Sequence, residues 1–257
     1  MEHTVIDGVA LEVQRVGSSG APAHAPLVFL HEGLGSVAMW RDWPARLCHE
    51  SGRQGIVYSR RGYGASDGVP DVRGKGRLGA DYLHREALEV LPALLARLGL
   101  QSPVLVGHSD GGSIALIHAA EHPVAACVAL APHVIVEDVS VRSIEQARDA
   151  FLGGDLRERL GRFHRDVDGA FWQWNDIWLS REFRDFDIRP LCRRITAPVL
   201  AIQGEQDPYG TLRQIDEIAP TAGRLQKLVL PDCGHSPHRD QPDRATAAIR
   251  DFLQTID

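Results

Sequence analysis

Six short, uninterrupted apolar runs do most to limit what this chain can fold into. They are Leu27-Val28-Phe29-Leu30, Gly55-Ile56-Val57-Tyr58, Val104-Leu105-Val106, Ala126-Cys127-Val128-Ala129-Leu130, Pro198-Val199-Leu200-Ala201-Ile202 and Leu228-Val229-Leu230. Runs this short and without polar alternation suit strands covered on both faces. Helical patterns separate them. Residues 82–98 carry Leu83, Leu88, Leu91, Leu94, Leu95 and Leu98 as an apolar stripe interrupted by Pro92. Residues 113–121 and 243–256 also suit helices. Strands alternating with helices imply a mostly parallel twisted sheet with helices on both faces, an α/β architecture whose site lies at the carboxyl ends of the strands. Ahead of the first run, residues 5–6 and 9–16 flank Asp7-Gly8, a dipeptide suited to a tight hairpin. A Gly/Ser/Ala/Pro loop follows at residues 17–26.

Residues 139–194 break the alternation. They hold polar-rich helical patterns and the aromatic cluster Phe171-Trp172-Gln173-Trp174-Asn175-Asp176-Ile177-Trp178, with no buried strand. The expected organisation is a core of residues 1–138 and 195–257 with a small helical cap at 139–194. An insertion after a strand's carboxyl end sits over the site.

The chain is long enough for one well-filled domain, with 257 residues, 44% hydrophobic and 24% charged. A net charge of −6 offers no basic field for nucleic acid, and the arginines are scattered among acids, so a membrane surface is not an expected partner. The expected partner is a small-molecule substrate; oligomeric state is not written in the sequence. The N-terminus lacks a basic segment followed by an apolar run, and Cys48, Cys127, Cys192 and Cys233 show no Cys-x-x-Cys spacing. These features read as free thiols and a cytoplasmic location.

The chemistry is concentrated in three loops. Gly107-His108-Ser109-Asp110-Gly111 places a serine in G-x-S-x-G between a predicted strand and a predicted helix. Alone, that pattern arises by chance in roughly one chain in ten of this length. The strand-turn-helix context makes it specific, because the turn must lift a hydroxyl clear of the sheet. A Cβ at position 107 or 111 would obstruct the approach of helix to strand. Serine needs a base, and His235 follows the last predicted strand in Cys233-Gly234-His235-Ser236-Pro237-His238. The imidazole needs a carboxylate, and Asp207 follows the penultimate strand in Gly204-Glu205-Gln206-Asp207. Glu205, Glu137 and Asp138 are the alternative acids. The His235-x-x-His238 spacing has no third partner, so no metal is expected, and no cofactor is needed.

With those segments, together with Leu30-His31-Glu32-Gly33-Leu34-Gly35-Ser36 and Arg61-Gly62-Tyr63-Gly64-Ala65-Ser66, the chain resembles the α/β-hydrolase superfamily over nearly its full length. Among its members it is similar to simple esterases, haloperoxidase-like enzymes and meta-cleavage product hydrolases. The resemblance implies backbone N–H donors for an oxyanion from Gly33 and Asp110, and a cap that selects the substrate. Where relatives read His-Gly, this chain reads His31-Glu32, so the Glu32 carboxylate becomes a candidate pocket group. His133, Trp174 and Trp178 are the others, although most of the aromatic cluster is expected to pack the cap. The Asp110 side chain has two readings: capping its own helix, or meeting a cationic or hydrogen-bond-donating group of the substrate.

The expected activity is hydrolysis of a small carboxylic ester, with thioesters and carbon–carbon bonds beside a ketone reachable by the same groups. Non-enzymatic small-molecule reception on this fold is the alternative of another kind. A nucleotide-binding oxidoreductase is a further one, since Gly33-x-Gly35-x-x-Ala38 follows a strand and Arg60-Arg61 follows the next.

Overall fold

The computed structural model describes residues 2–17 and 24–256. Residues 18–23 of the predicted loop lie outside the described residues. The hairpin forms as expected: β1 (Glu2–Ile6) pairs antiparallel with β2 (Val9–Val16), and Asp7 and Gly8 turn the chain at φ 48° and 79°. A two-residue turn with both φ positive matches the right-handed twist of its strands.

Each apolar run is a strand of the same sheet. β3 (Leu27–Leu30) is followed by α1 (Trp43–Ser51) and β4 (Gly55–Tyr58). A long helical segment comes next, built from α2 (Tyr82–Arg85), a π-turn at Glu86–Val90 and α3 (Leu91–Leu98). β5 (Val104–His108), α4 (Asp110–Glu121) and β6 (Ala126–Leu130) then lead to the centre of the sheet. The predicted stripe at residues 82–98 is therefore one helical path, and its break has a local cause. In a π-turn the Ala87 carbonyl would take the N–H of residue 92, which is proline and has none. His118 of α4 supplies the missing donor, with Nδ1 2.8 Å from that carbonyl.

After β6 the chain runs through α5 (Asp138–Gly153), α6 (Leu156–Gly161), α7 (Val167–Trp178) and α8 (Arg189–Cys192) before returning to the sheet. Only an isolated bridge, Ile135 to Asp187, has β character there. β7 (Val199–Gly204), α9 (Arg213–Asp216), β8 (Leu225–Leu230), α10 (Pro237–Asp240) and α11 (Pro242–Leu253) complete the chain.

The eight strands lie in the order β1-β2-β4-β3-β5-β6-β7-β8, parallel from β4 onward. Alternate residues of β3 enter different cores: Val28 and Leu30 join one buried cluster, Leu27 and Phe29 the other. Burial on both faces is why these strands read as unbroken apolar runs. From β3 the chain moves to β4 on one side and then crosses to β5 on the other. The carboxyl ends of β3 and β5 therefore flank a crevice at the switch point.

Candidate active site

Ser109 stands at the end of β5, where the backbone turns sharply into α4. Its φ of 54° and ψ of −118° are a strained conformation for a residue with a Cβ. The strain is held by close backbone packing. A Cβ on Gly107 would lie 2.1 Å from the Gly111 carbonyl oxygen, and one on Gly111 would lie 2.0 Å from that of Leu30. Only glycine lets α4 descend this far onto β3 and β5. The Ser109 N–H is anchored to the Leu130 carbonyl at 2.9 Å.

The three loops singled out from the sequence meet at this turn. His235 Nε2 lies 2.9 Å from Ser109 Oγ, and its Nδ1 lies 2.8 and 2.9 Å from the two carboxylate oxygens of Asp207. With a carboxylate facing Nδ1, that nitrogen carries the proton and Nε2 is free to accept the serine hydroxyl. Asp207 is itself fixed by the Tyr209 N–H at 2.8 Å and the Gln203 side-chain amide at 2.6 Å. Burial works against its ionisation, but the hydrogen bond and charge of His235 outweigh it and hold the carboxyl below the usual range. The other acids are placed elsewhere. Glu137 binds Thr211 and Gln214, Asp138 faces Arg184 at the start of α5, and Glu205 is exposed.

The loop that carries His235 is tied to the end of β5. His108 Nε2 donates to the His235 carbonyl at 2.7 Å, and its Nδ1 faces Glu32 Oε2 at 3.4 Å. Burial opposes ionisation of Glu32, but His108, His238 and His31 together hold its carboxyl well below the usual range. Its side chain lies where a Cβ on Gly35 would come within 2.5 Å of Oε2. Glu32 is not among the residues at positive φ, so a glycine is not required there. The loop is also shaped from below: the Arg60 N–H donates to His31 Nε2 at 3.0 Å, leaving His31 Nδ1 to donate to the Glu32 carbonyl at 2.7 Å.

Gly33 follows β3, and Asp110 opens α4, where first-turn N–H groups have no acceptor within the helix. The Asp110 side chain, read from the sequence either as a cap of its own helix or as a substrate contact, is taken up by three neighbouring side chains. It is 1% exposed, takes the Tyr82 hydroxyl at 2.8 Å and the Trp178 indole N–H at 3.2 Å, and faces the Arg60 guanidinium at 3.6 Å. Burial, the largest influence, raises its pKa above the usual range against the pull of these three partners. The same contact removes Arg60 from the dinucleotide reading, since it is buried among His31, Glu32 and Asp110 instead of being presented to a phosphate.

Of the pocket candidates, Trp178 is a core side chain, 1% exposed and edge-on to His133. His133 is equally enclosed, 5.7 Å from the His235 ring, and burial pushes its pKa down to about 3. Trp174 lies directly over Gly33. His238 packs on Trp40 and Trp43 beside His108. A cavity of about 470 Å³ lies beyond Tyr82, walled by Arg60, Tyr63, Glu86 and Gln173, without any of Ser109, Asp207 or His235 in its lining. The sequence carried no sign of the Arg60–Asp110–Tyr82–Trp178 network, whose members have no local spacing to betray them.

A mostly parallel sheet with a strained serine turn at its switch point, two glycine contacts beneath it and a histidine loop after the last strand defines a class. The chain belongs to the Alpha/beta hydrolase family, whose sequence profile matches residues 27–249. It is 27% identical over 272 residues to the sn-1-specific diacylglycerol lipase ABHD11 of Mus musculus, covering 92% of this chain and 82% of that protein. It is also 27% identical to the human serine hydrolase BPHL, over 77% of this chain and 69% of that one. Among solved structures, the proline iminopeptidase of Mycobacterium smegmatis shares the fold with a TM-score of 0.73 at 20% identity, covering 99% of this chain and 98% of that one. No helix among the described residues is long and apolar enough to cross a membrane.

Proposed function

We propose that this chain is a serine hydrolase that cleaves a small carboxylic ester through an acyl-enzyme. Ser109 is the nucleophile, His235 the general base and acid, and Asp207 the group that orients the imidazole. The observation that carries the reading is the unbroken hydrogen-bonded chain from Ser109 Oγ through His235 to Asp207, with contacts of 2.9 and 2.8 Å. A serine in a strained strand-to-helix turn with an imidazole at hydrogen-bond distance has what acyl transfer requires.

In the first step Ser109 Oγ forms a bond to the ester carbon while its proton passes to His235 Nε2. The carbonyl π pair moves onto oxygen, where the N–H groups of Gly33 and Asp110 stabilise it together with the positive end of α4. Collapse of this intermediate breaks the bond to the alkoxide, which leaves with the proton from His235. Water repeats the sequence on the acyl-enzyme and releases the acid. Asp207 stays ionised throughout and steadies the imidazolium. The helical insertion at 139–194 serves as the lid that selects the small-molecule substrate, because its helix α7 places Trp174 over Gly33. The esterase and lipase names among relatives at about this level of identity support ester chemistry.

The test is a series of nitrophenyl esters with a fluorophosphonate probe. The protein is expected to turn over at least one short acyl ester and to take the probe on Ser109. Ser109→Ala is expected to abolish labelling and lower kcat by at least about 10³-fold. A protein whose Ser109 stays unlabelled, with esters untouched, would be no serine hydrolase.

A further inference from the structure

The helical insertion brings one polar group to the site that the serine, histidine and carboxylate do not use. A Cβ built on Gly33 would lie 2.1 Å from Trp174 Nε1 and 2.4 Å from its Cδ1. Adding a carbon–carbon bond of about 1.5 Å puts that nitrogen within about 3.6 Å of the Gly33 Cα. Any side chain at position 33 would displace the indole, so a glycine there makes room for it. The indole N–H is a donor only, and an enclosed one ordinarily finds an acceptor. That of Trp178 takes Asp110 and that of Trp43 takes Thr246, while that of Trp40 is buried without a partner. Trp174 is 6% exposed, and no acceptor among the described residues takes its N–H, which is not one of the fully enclosed unpartnered atoms and so keeps access to solvent. It is a spare donor held beside one of the two backbone donors of the proposed oxyanion site.

The position of this ring is set by packing within the insertion. Trp174 lies edge-on to Phe171 at 6.0 Å, and Phe171 stacks on Phe151 of α5 at 3.7 Å. The donor is therefore mounted on packed helices and not on a free loop.

We propose that the Trp174 indole N–H is a third donor of the oxyanion site, donating to the substrate's reacting carbonyl oxygen as it becomes anionic. The role rests on the acyl-transfer reading above. Two donors come from the core, Gly33 after β3 and Asp110 at the start of α4, and the third from the insertion, so the site is complete only when α7 is seated. No bond is made or broken by Trp174; it holds charge that the attacking serine pushes onto oxygen. A donor aimed at developing charge lowers the barrier more than it tightens ground-state binding.

The experiment has two arms. In the wild-type protein, a crystal structure of the Ser109 phosphonate adduct is expected to show the phosphonyl oxygen within hydrogen-bond reach of Trp174 Nε1, about 3.2 Å or less, as well as of Gly33 and Asp110. An oxygen held by the backbone pair alone, with Nε1 beyond that reach, overturns the proposal. In solution, Trp174→Phe keeps a ring over Gly33 and removes the N–H. It is expected to lower kcat by about tenfold or more while KM moves by less than about twofold. Trp174→His, which restores a ring N–H, is expected to recover part of the loss. A purely structural role predicts no such rescue, and an unchanged kcat in Trp174→Phe also overturns the proposal. Failure of Ser109 to take phosphonate at all is a different result, and removes the acyl-transfer reading on which this one stands.

Discussion

Asp110 does two separate things from one position. Its main chain offers an N–H at the mouth of α4, while its carboxylate points the other way into Arg60, Tyr82 and Trp178. The Gly-x-Ser-x-Gly motif marks the first and is silent on the second, because the partners lie 50 and 28 residues upstream and 68 downstream with no shared period. Ser109, His235 and Asp207 were legible for the opposite reason. Each sits beside local markers: glycines that permit a tight turn, and a strand that fixes where the turn must fall. At this scale the proposed orienting role of Asp207 gives the sharpest test. Asp207→Asn preserves size but lets Nδ1 lose its proton, so the wrong tautomer faces Ser109. Turnover of a nitrophenyl ester is expected to drop by about 10³- to 10⁴-fold with folding intact by circular dichroism. A loss smaller than about tenfold would mean that the carboxylate does not hold the imidazole.

Elements are held together here by backbone approaching backbone. At the end of β7, a Cβ on Gly204 would come within 2.2 Å of the carbonyl oxygens of both Cys233 and Gly234. Glu205 and Gln206 bond to Leu230 and Cys233 across the same gap. The strand that delivers Asp207 is thus in contact with the loop that delivers His235. Gly204→Ala cannot be absorbed by rotating a side chain, so one of the two loops must move. The expected outcome is a kcat at least about tenfold lower together with a reduced melting temperature, since a shift of about 1 Å in a reacting group costs as much as 10²-fold. Wild-type values for both would show that the loops yield without consequence. At the same scale, residues 82–98 read correctly as helical, but the π-turn did not. Pro92 predicts an interruption, yet the remedy, an imidazole from α4, is supplied from another part of the chain.

Across the whole molecule, burial of histidines makes stability depend on pH. Burial pushes His118 down to about 4 and His133 to about 3, and lowers His31, His164 and His238 as well. An unfolded imidazole takes its proton near pH 6.5. Between that value and the folded ones, the unfolded chain binds more protons than the folded chain. Stability is therefore complete above about pH 6.5 and declines as the pH falls through that window toward 3. Asp207 and Glu32, held below their usual range, act in the same direction at lower pH, while Asp110 and Glu86, held above it, offset part of the loss. Denaturant midpoints at pH 7.5 and 5.5 measure this. A lower midpoint at 5.5 is expected, and an equal or higher one contradicts it.

The sequence by itself determined the parallel sheet, the hairpin at Asp7-Gly8, the stretch lacking strands between β6 and β7, and the three loops that carry Ser109, Asp207 and His235. These follow from short-range physics: apolar runs that must be covered on both faces, dipeptides that favour a turn, glycines where backbones touch. Tertiary structure alone decided the partners of Asp110 and Arg60, the contact of His108 with Glu32 and the His235 carbonyl, and the seat of Trp174 over Gly33. Such contacts join residues far apart along the chain, and their strength comes from burial and distance, neither of which exists until the chain has folded.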